Sequence, residues 1–352
     1  MAVLDGTAEL PRWLSCGGPE GDVVISTRIR LARCLAGHLF PAAASLLQRT
    51  AAYEEILSAV RAVRRYDDYN LCDFMACTRM QREIMVERRL ASPDLLAADG
   101  SRGVLVSGDT RVSLMINEED HVRLQYLDAG CRPQDAWQAL SGIDDELGGL
   151  LDYAVDAEKG FLTCCPTNAG TGLRISFLVH LPGCILTRTI DQVLQAASQM
   201  GIAIRGFFGE HSDVAGSLFQ LSNRATLGAS EEEYIGMTEE TIGRIVRHER
   251  EARERILRDA KTELADKAYR AWGILMYART LSMEELLNLA SALRIGVECG
   301  IFTQVSVAAI NRMILFGMPA HLQAHLGREL TEDECGVCRA ERVREIIAAE
   351  TP

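Results

Sequence analysis

The sequence predicts an α+β fold: a largely antiparallel sheet flanked by helices over residues 22–245, then an all-helical domain over 250–352. A lead segment covers 1–21. Three observations carry this. Short apolar runs of strand type outnumber helical patterns between Asp22 and Glu240. Two of them, Val104-Leu105-Val106 and Val112 to Ile116, flank a Gly108-Asp109 turn and read as a hairpin, favouring an antiparallel sheet over a doubly wound one. After Glu240 the chain turns charge-dense, from Arg247 to Arg258, and almost wholly helical.

In chain order, Val24 and Ile29 anchor an extended segment, Ser26-Thr27-Arg28-Ile29-Arg30, that continues to Arg33. The hairpin follows, then a strand from Val122 to Tyr126. Between Pro133 and Ala154 the positions Trp137, Leu140, Ile143, Leu147, Leu150 and Leu151 keep the helical period. Leu173 to Leu181 reads as a buried strand, and Ile190, Val193, Leu194 and Ala197 as a helix face. Strands are expected at Ile202 to Phe208 and Leu218 to Leu221. Ser282-Met-Glu-Glu285 and Thr331-Glu-Asp-Glu334 fit capping boxes that open helices. Leu286, Leu287, Leu293, Ile295 and Phe302 give the C-terminal region its own apolar supply.

Composition narrows the function. A chain of 352 residues with 48% apolar residues supports two domains and a large core. The net charge of −12 argues against broad nucleic-acid or anionic-membrane binding. No signal peptide and no membrane-spanning apolar run is visible, and the eleven cysteines suit reduced thiols, so a cytoplasmic protein is expected. No G-x-G-x-x-G or G-x-x-x-x-G-K-[ST] follows a strand, which withholds support from the familiar nucleotide folds.

Four arginine-bearing segments remain. Arg28 and Arg30 are two apart, so an extended backbone points both to one face, where paired guanidinium forks suit a polyphosphate. Asn117-Glu118-Glu119-Asp120-His121-Val122-Arg123 packs ionisable groups against a strand. Thr163 to Arg174, TCCPTNAGTGLR, joins a thiol, a proline, two glycines and an arginine in a loop at the mouth of a strand. Arg205-Gly206-Phe207-Phe208-Gly209-Glu210-His211 again ends a strand. Each segment alone has a structural explanation: solvated charge, a polar turn, or a buried thiol.

In combination, STRIRLARCL, ERRLASP, SLMINEEDHVRLQ, FLTCCPTNAGTGLRISFLVHLP and RGFFGEHSDVAGSLFQLSNRATLG resemble the phosphagen kinase (ATP:guanido phosphotransferase) family, in its bacterial branch acting on protein arginine. The resemblance spans about residues 22–235, and the C-terminal region is similar with more divergence. It implies a glutamine-synthetase-like catalytic domain and transfer of the ATP γ-phosphoryl, with Mg²⁺, to a guanidinium nitrogen. It further implies that Arg28, Arg30, Arg123, Arg174 and Arg205 clamp the phosphates. ATP-binding positions then extend through Ser26, Thr27, Ile29, Arg89, Ile175, Ser176, Phe177, Leu178, Gly206, Phe207, Phe208 and Gly209. Glu119 and Glu210 would hold the acceptor guanidinium, with Glu210 the favoured base, and Cys165 matches the reactive cysteine. No residue is assigned to a metal.

Only 25 residues precede Ser26, which leaves no room for the helical domain that closes over small acceptors, so an arginine within a protein is the expected substrate. A kinase of free arginine, or a non-catalytic protein that binds a repressor or adaptor, stays open as an alternative. The resemblance also implies protein substrates marked for degradation or stress regulation, a zinc-bearing activator, a Clp protease and a homodimer. Two departures stand out. Arg89 replaces the histidine that usually contacts the nucleotide, and Cys335-Gly336-Val337-Cys338-Arg339-Ala340 keeps only its last two residues of the phosphoarginine-binding RDxxRA. His211, where relatives often carry glycine, reads as a site-wall residue.

Overall fold

A computed structural model describes residues 9–207 and 215–350. Ten strands and twelve α-helices are found among them. The strands are β1 (Val24–Arg33), β2 (Asn70–Asp73), β3 (Gly103–Val106), β4 (Val112–Ile116), β5 (Val122–Ala129), β6 (Val155–Asp156), β7 (Gly160–Phe161), β8 (Leu173–His180), β9 (Ile202–Gly206) and β10 (Leu218–Asn223). The helices through the sheet region are α1 (Leu46–Arg61), α2 (Arg79–Glu87), α3 (Pro93–Ala97), α4 (Pro133–Gly148), α5 (Pro182–Leu186) and α6 (Ile190–Gln199). Then follow α7 (Glu231–Asp259), α8 (Lys261–Tyr277), α9 (Met283–Glu298), α10 (Val307–Phe316), α11 (Pro319–Leu326) and α12 (Glu332–Glu350).

Eight strands form one sheet in the order β2-β3-β4-β5-β1-β8-β10-β9, with every neighbouring pair antiparallel. β1 is central, pairing β5 on one side and β8 on the other. Alternation then sorts its side chains. Ile29 and Leu31 join Leu124, Ile175, Phe177 and Leu221 in the main core, where they meet apolar residues of α1, α4, α6 and α7. Each such fully buried Leu, Ile or Phe contributes about 1.5–3 kcal/mol.

The opposite face is covered by two separate apolar pads. Beneath α2 and α3, Phe74, Met85, Leu90 and Leu95 pack on Val104, Val106 and Met115. At the other end Leu127, Leu178, Phe207 and Leu218 pack into the cluster built by the C-terminal helices. Between the pads the same face carries arginines.

Some elements differ from the sequence reading. The helix from Pro133 stops at Gly148, and Leu151 folds back beneath it into the core. β9 ends at Gly206, short of Phe208. β2 and the β6–β7 pair, which sequence periodicity did not indicate, are four and two residues long, too short to show a period. α7 runs unbroken through positions 245–250 and ends at Asp259. Thr331 and Glu334 make both halves of a capping box, whereas Ser282 is seen making the first half, accepting from the Glu285 N–H at 3.0 Å.

Candidate functional site

Cross-strand register builds the site. Arg30 lies opposite Arg174 on β8 and Gln125 on β5, Arg28 lies opposite Ser176, and Ala32 lies opposite Arg123. One face therefore collects Arg28, Arg30, Arg123, Arg174 and Ser176 in adjacent strands. Arg205 on β9 joins that face through Gln220 of β10. Arg28 Nε donates to Ser176 Oγ at 3.3 Å, and Arg174 Nη2 donates to Ser222 Oγ at 3.5 Å.

Arg89 enters from the α2 side. Its φ of 59° is left-handed, and two contacts pin this turn: Gln125 Nε2 donates to the Arg89 carbonyl at 2.7 Å, and Trp13 Nε1 to the Arg88 carbonyl at 3.0 Å. The Arg89 guanidinium donates to the Phe207 carbonyl at 3.1 Å and lies over the rings of Trp13 and Phe207, 4.9 and 4.8 Å from their centroids.

The electrostatics register the crowding of like charge around Arg28 and Arg30. Burial, then the guanidinium groups of Arg89, Arg123, Arg174 and Arg205, pushes Arg28 down to about 9. Burial and Arg28, Arg123 and Arg174 drive Arg30 down in the same way. Arg123 is neutralised at close range: its Nη1 donates to Glu118 at 2.7 Å, and against the lowering by burial Glu118 raises it. Glu118 in turn is held by Ser92 Oγ and by the Glu119 N–H at 2.9 Å. Burial would raise Glu118, but Arg123, Ser92 and that N–H hold it below the usual range.

The next elements bring carboxylate and thiol to the rim of the arginine face. Glu119 is partly exposed and accepts from Asn168 Nδ2 at 3.3 Å, which ties it to the 163–174 loop. Burial raises its pKa, and the carboxylates of Asp120 and Glu118 add to this against Arg123. Asp120, fully buried, accepts from the Cys164 N–H at 2.7 Å and from Cys34 Sγ at 3.2 Å, so it anchors the start of the loop. Cys165 Sγ lies 3.0 Å from Thr167 Oγ1. Thr226 closes the loop from below, its Oγ1 donating to the carbonyls of Thr167 and Ala169 at 3.0 and 2.7 Å. The glycines are obligatory there: Gly170 has φ 103°, and a Cβ would stand 2.4 Å from the Thr226 carbonyl oxygen.

Several expected positions lie elsewhere. Thr27, Ile29, Ile175 and Phe177 belong to the opposite face, because the strand period of two turns them away from the arginines. The last three are fully enclosed in the main core, and Thr27 Oγ1 donates to the Gly130 carbonyl at 2.6 Å. Leu178 is on the arginine face but packs under the C-terminal helices, with Ser26 buried beside it in register. Gly206 is buried, and Phe207 contributes its ring and carbonyl to Arg89. Phe208, Gly209, Glu210 and His211 lie outside the described residues.

Sequence reasoning assigned no role to Trp13, Ser92, Glu118, Asp120, Gln125 or Thr226. The acidic run containing Glu118 and Asp120 was the available clue; the others have no local pattern. Near the C-terminus, Arg339 donates to the carbonyls of Gly317 and Leu281, both at 2.7 Å, as a buried packing residue. Cys335 and Cys338 are free thiols, and among the described residues no group of three or more His, Cys, Asp or Glu forms a metal cluster.

Comparison with known proteins agrees along nearly the whole chain. Residues 52–252 match the ATP:guanido phosphotransferase C-terminal catalytic domain, and residues 261–352 match the protein-arginine kinase McsB C-terminal domain. The chain is 41% identical to the protein-arginine kinase of Moorella thermoacetica over 340 residues, covering 96% of this chain and 97% of that one. It is 39% identical to the protein-arginine kinase of Brevibacillus brevis, covering 95% and 94%. Among solved structures, lombricine kinase superposes with a TM-score of 0.59 at 22% identity, covering 70% of each chain. The duplicated taurocyamine kinase of Schistosoma mansoni with bound transition-state analogue components gives 0.59 at 22% identity, covering 70% of this chain and 35% of that one. These two share the fold.

Proposed function

Because the chain belongs to the ATP:guanido phosphotransferase family, among its protein-arginine kinases, we propose that it transfers the γ-phosphoryl of ATP to arginine side chains of proteins. The observation that carries this is the row of guanidinium groups on one sheet face, where burial and then neighbouring arginines lower Arg28 and Arg30, with Glu119 tied to the 163–174 loop at its rim. Arginines in adjacent strands suit a polyanion, and a triphosphate offers several acceptors for forked donors.

Arg28, Arg30, Arg174 and Arg205 then clamp the phosphates, and Arg123 is oriented by Glu118 toward the same face. Arg89 takes the nucleotide-side position by stacking between Trp13 and Phe207. Mg²⁺, commonly held by substrate phosphates and waters, would neutralise charge on the transferring group. In the step itself a guanidinium nitrogen of the acceptor bonds to the γ-phosphorus as the bond to the β-bridging oxygen breaks. ADP leaves, and the nitrogen's proton passes to a carboxylate. Glu119 holds the acceptor, Glu210 is the base assigned from the motif, and Cys165 stands beside the guanidinium. The fixed arginines supply charge stabilisation with no reorganisation.

Among the described residues no helix is long and apolar enough to cross a membrane. With eleven cysteines in the chain and the described ones free, a reducing cytoplasm is the setting of this reading. A zinc-bearing activator, a Clp protease and a second copy of the chain belong to the same proposal, which places the reaction in protein marking. The test is mass spectrometry under non-acidic conditions on an arginine-rich protein incubated with the chain and Mg-ATP. Acid-labile phosphoarginine is expected, and it should fall about 100-fold or more in Glu119→Gln. Turnover of free arginine with no modified protein would overturn the reading.

A further inference from the structure

Away from the arginine face, the β2–α2 connection holds two sulfur atoms in contact. Cys72 Sγ, on β2, is 2.7 Å from Cys77 Sγ, just before the Thr78 that caps α2. The intervening turn is fixed by its own backbone. The N–H groups of Ala76 and Cys77 donate to the Asp73 carbonyl at 3.1 and 3.0 Å, and the Met75 N–H donates to Asp73 Oδ1 at 2.9 Å. Cys72 is locked beneath it by pairing with Val104 and by burial against Phe74 and Leu95. The two thiols therefore meet through a turn that holds them together in the reduced protein, within a short movement of the ~2.05 Å disulfide bond.

We propose that Cys72 and Cys77 form a dithiol that a peroxide closes to an intramolecular disulfide, a reversible modification site separate from Cys165. Exposure sets the order of events. Cys77 is half-buried beside the exposed Met75, whereas Cys72 is 1% exposed. Burial, with Cys77 next, also raises the Cys72 thiol far above its ordinary range, so Cys77 is the sulfur that meets the oxidant. The Cys77 sulfur takes one oxygen of hydrogen peroxide, becomes a sulfenic acid, and releases one water. The Cys72 sulfur then attacks it, the S–S bond forms, and the hydroxyl leaves with the Cys72 hydrogen as a second water. Two thiols lose two electrons and the peroxide gains them. The new bond would clamp the edge strand to the start of α2, whose far end leads into Arg88 and Arg89.

The experiment uses the full chain and hydrogen peroxide, followed by alkylation and mass spectrometry of unreduced peptides. The expected result is a Cys72–Cys77 link, lighter by two hydrogens and restored by dithiothreitol. Recovery of both cysteines as alkylated thiols, or of Cys77 as sulfinic acid beside an unchanged Cys72, overturns the proposal. A second measurement uses Cys72→Ala. Without its resolving partner, Cys77 should retain sulfenic acid and label with dimedone about 10-fold more than wild type. Equal labelling also overturns the proposal. The mapping on wild type stands whether or not that variant folds, and neither result depends on the kinase reading.

Discussion

Arg30 and Arg33 stand on the same strand and meet opposite surroundings. Arg33 faces the core side, 1% exposed. Its Nη2 lies 2.6 Å from Asp144, its Nη1 donates to the carbonyls of Ala32 and Thr171 at 2.9 Å, and its guanidinium is 3.5 Å from the Phe161 ring centroid. Arg30 faces the other way, opposite Arg174, with Arg28 and Arg123 as further charged neighbours and Glu118 acting against them. The first arginine has its counter-charge built in, and the second awaits one. Two faces of one sheet thus use the same residue type for cohesion and, in the proposed function, for binding, and local compensation separates the roles.

The comparison breaks most readily at Asp144. Asp144→Ala leaves the Arg33 charge buried and uncompensated, so a loss of about 3–5 kcal/mol is expected in urea unfolding. A loss below about 1 kcal/mol would mean that Arg33 is as loosely held as Arg30. The next largest effect is the mirror image. Arg30→Ala relieves repulsion, so stability should hold or rise, while kcat/KM for ATP falls about 100- to 1000-fold, or about 3–4 kcal/mol. Stability and activity falling together would place Arg30 on the structural side.

A smaller, pH-dependent effect sharpens the cohesive side. His121 Nδ1 accepts the Leu35 N–H at 3.1 Å just beyond β1, and burial followed by His38 lowers its pKa to about 4. The unfolded imidazole titrates near 6.5 and so binds more protons than the folded one between those values. This contribution is complete above about pH 6.5 and is lost as pH falls toward about 4, on the order of 2–3 kcal/mol. Unfolding free energies measured across that window should slope upward with pH, and His121→Asn should flatten the slope.

Much of this was legible in the sequence. Alternation at Arg28 and Arg30, the hairpin at Gly108-Asp109, and the glycine-bearing loop at 163–174 depend on local rules that act over a few residues. The same alternation argues against ATP contacts by the side chains of Ile29, Ile175 and Phe177, since neighbours along a strand cannot share a face. Asp120 holding Cys164, Trp13 against Arg89, and Thr226 beneath the loop were not legible, because each contact joins segments more than forty residues apart.

The sequence by itself determined which residue types were present, their strand and helix periods, and the motif order that marks the family. Tertiary structure decided which arginines would be paired. The register of β5, β1 and β8 set Arg30 against Arg174 and put Asp144 of α4 beneath Arg33. The physical reason is that charge compensation acts through space over a few ångströms, whereas the sequence specifies separation only along the chain.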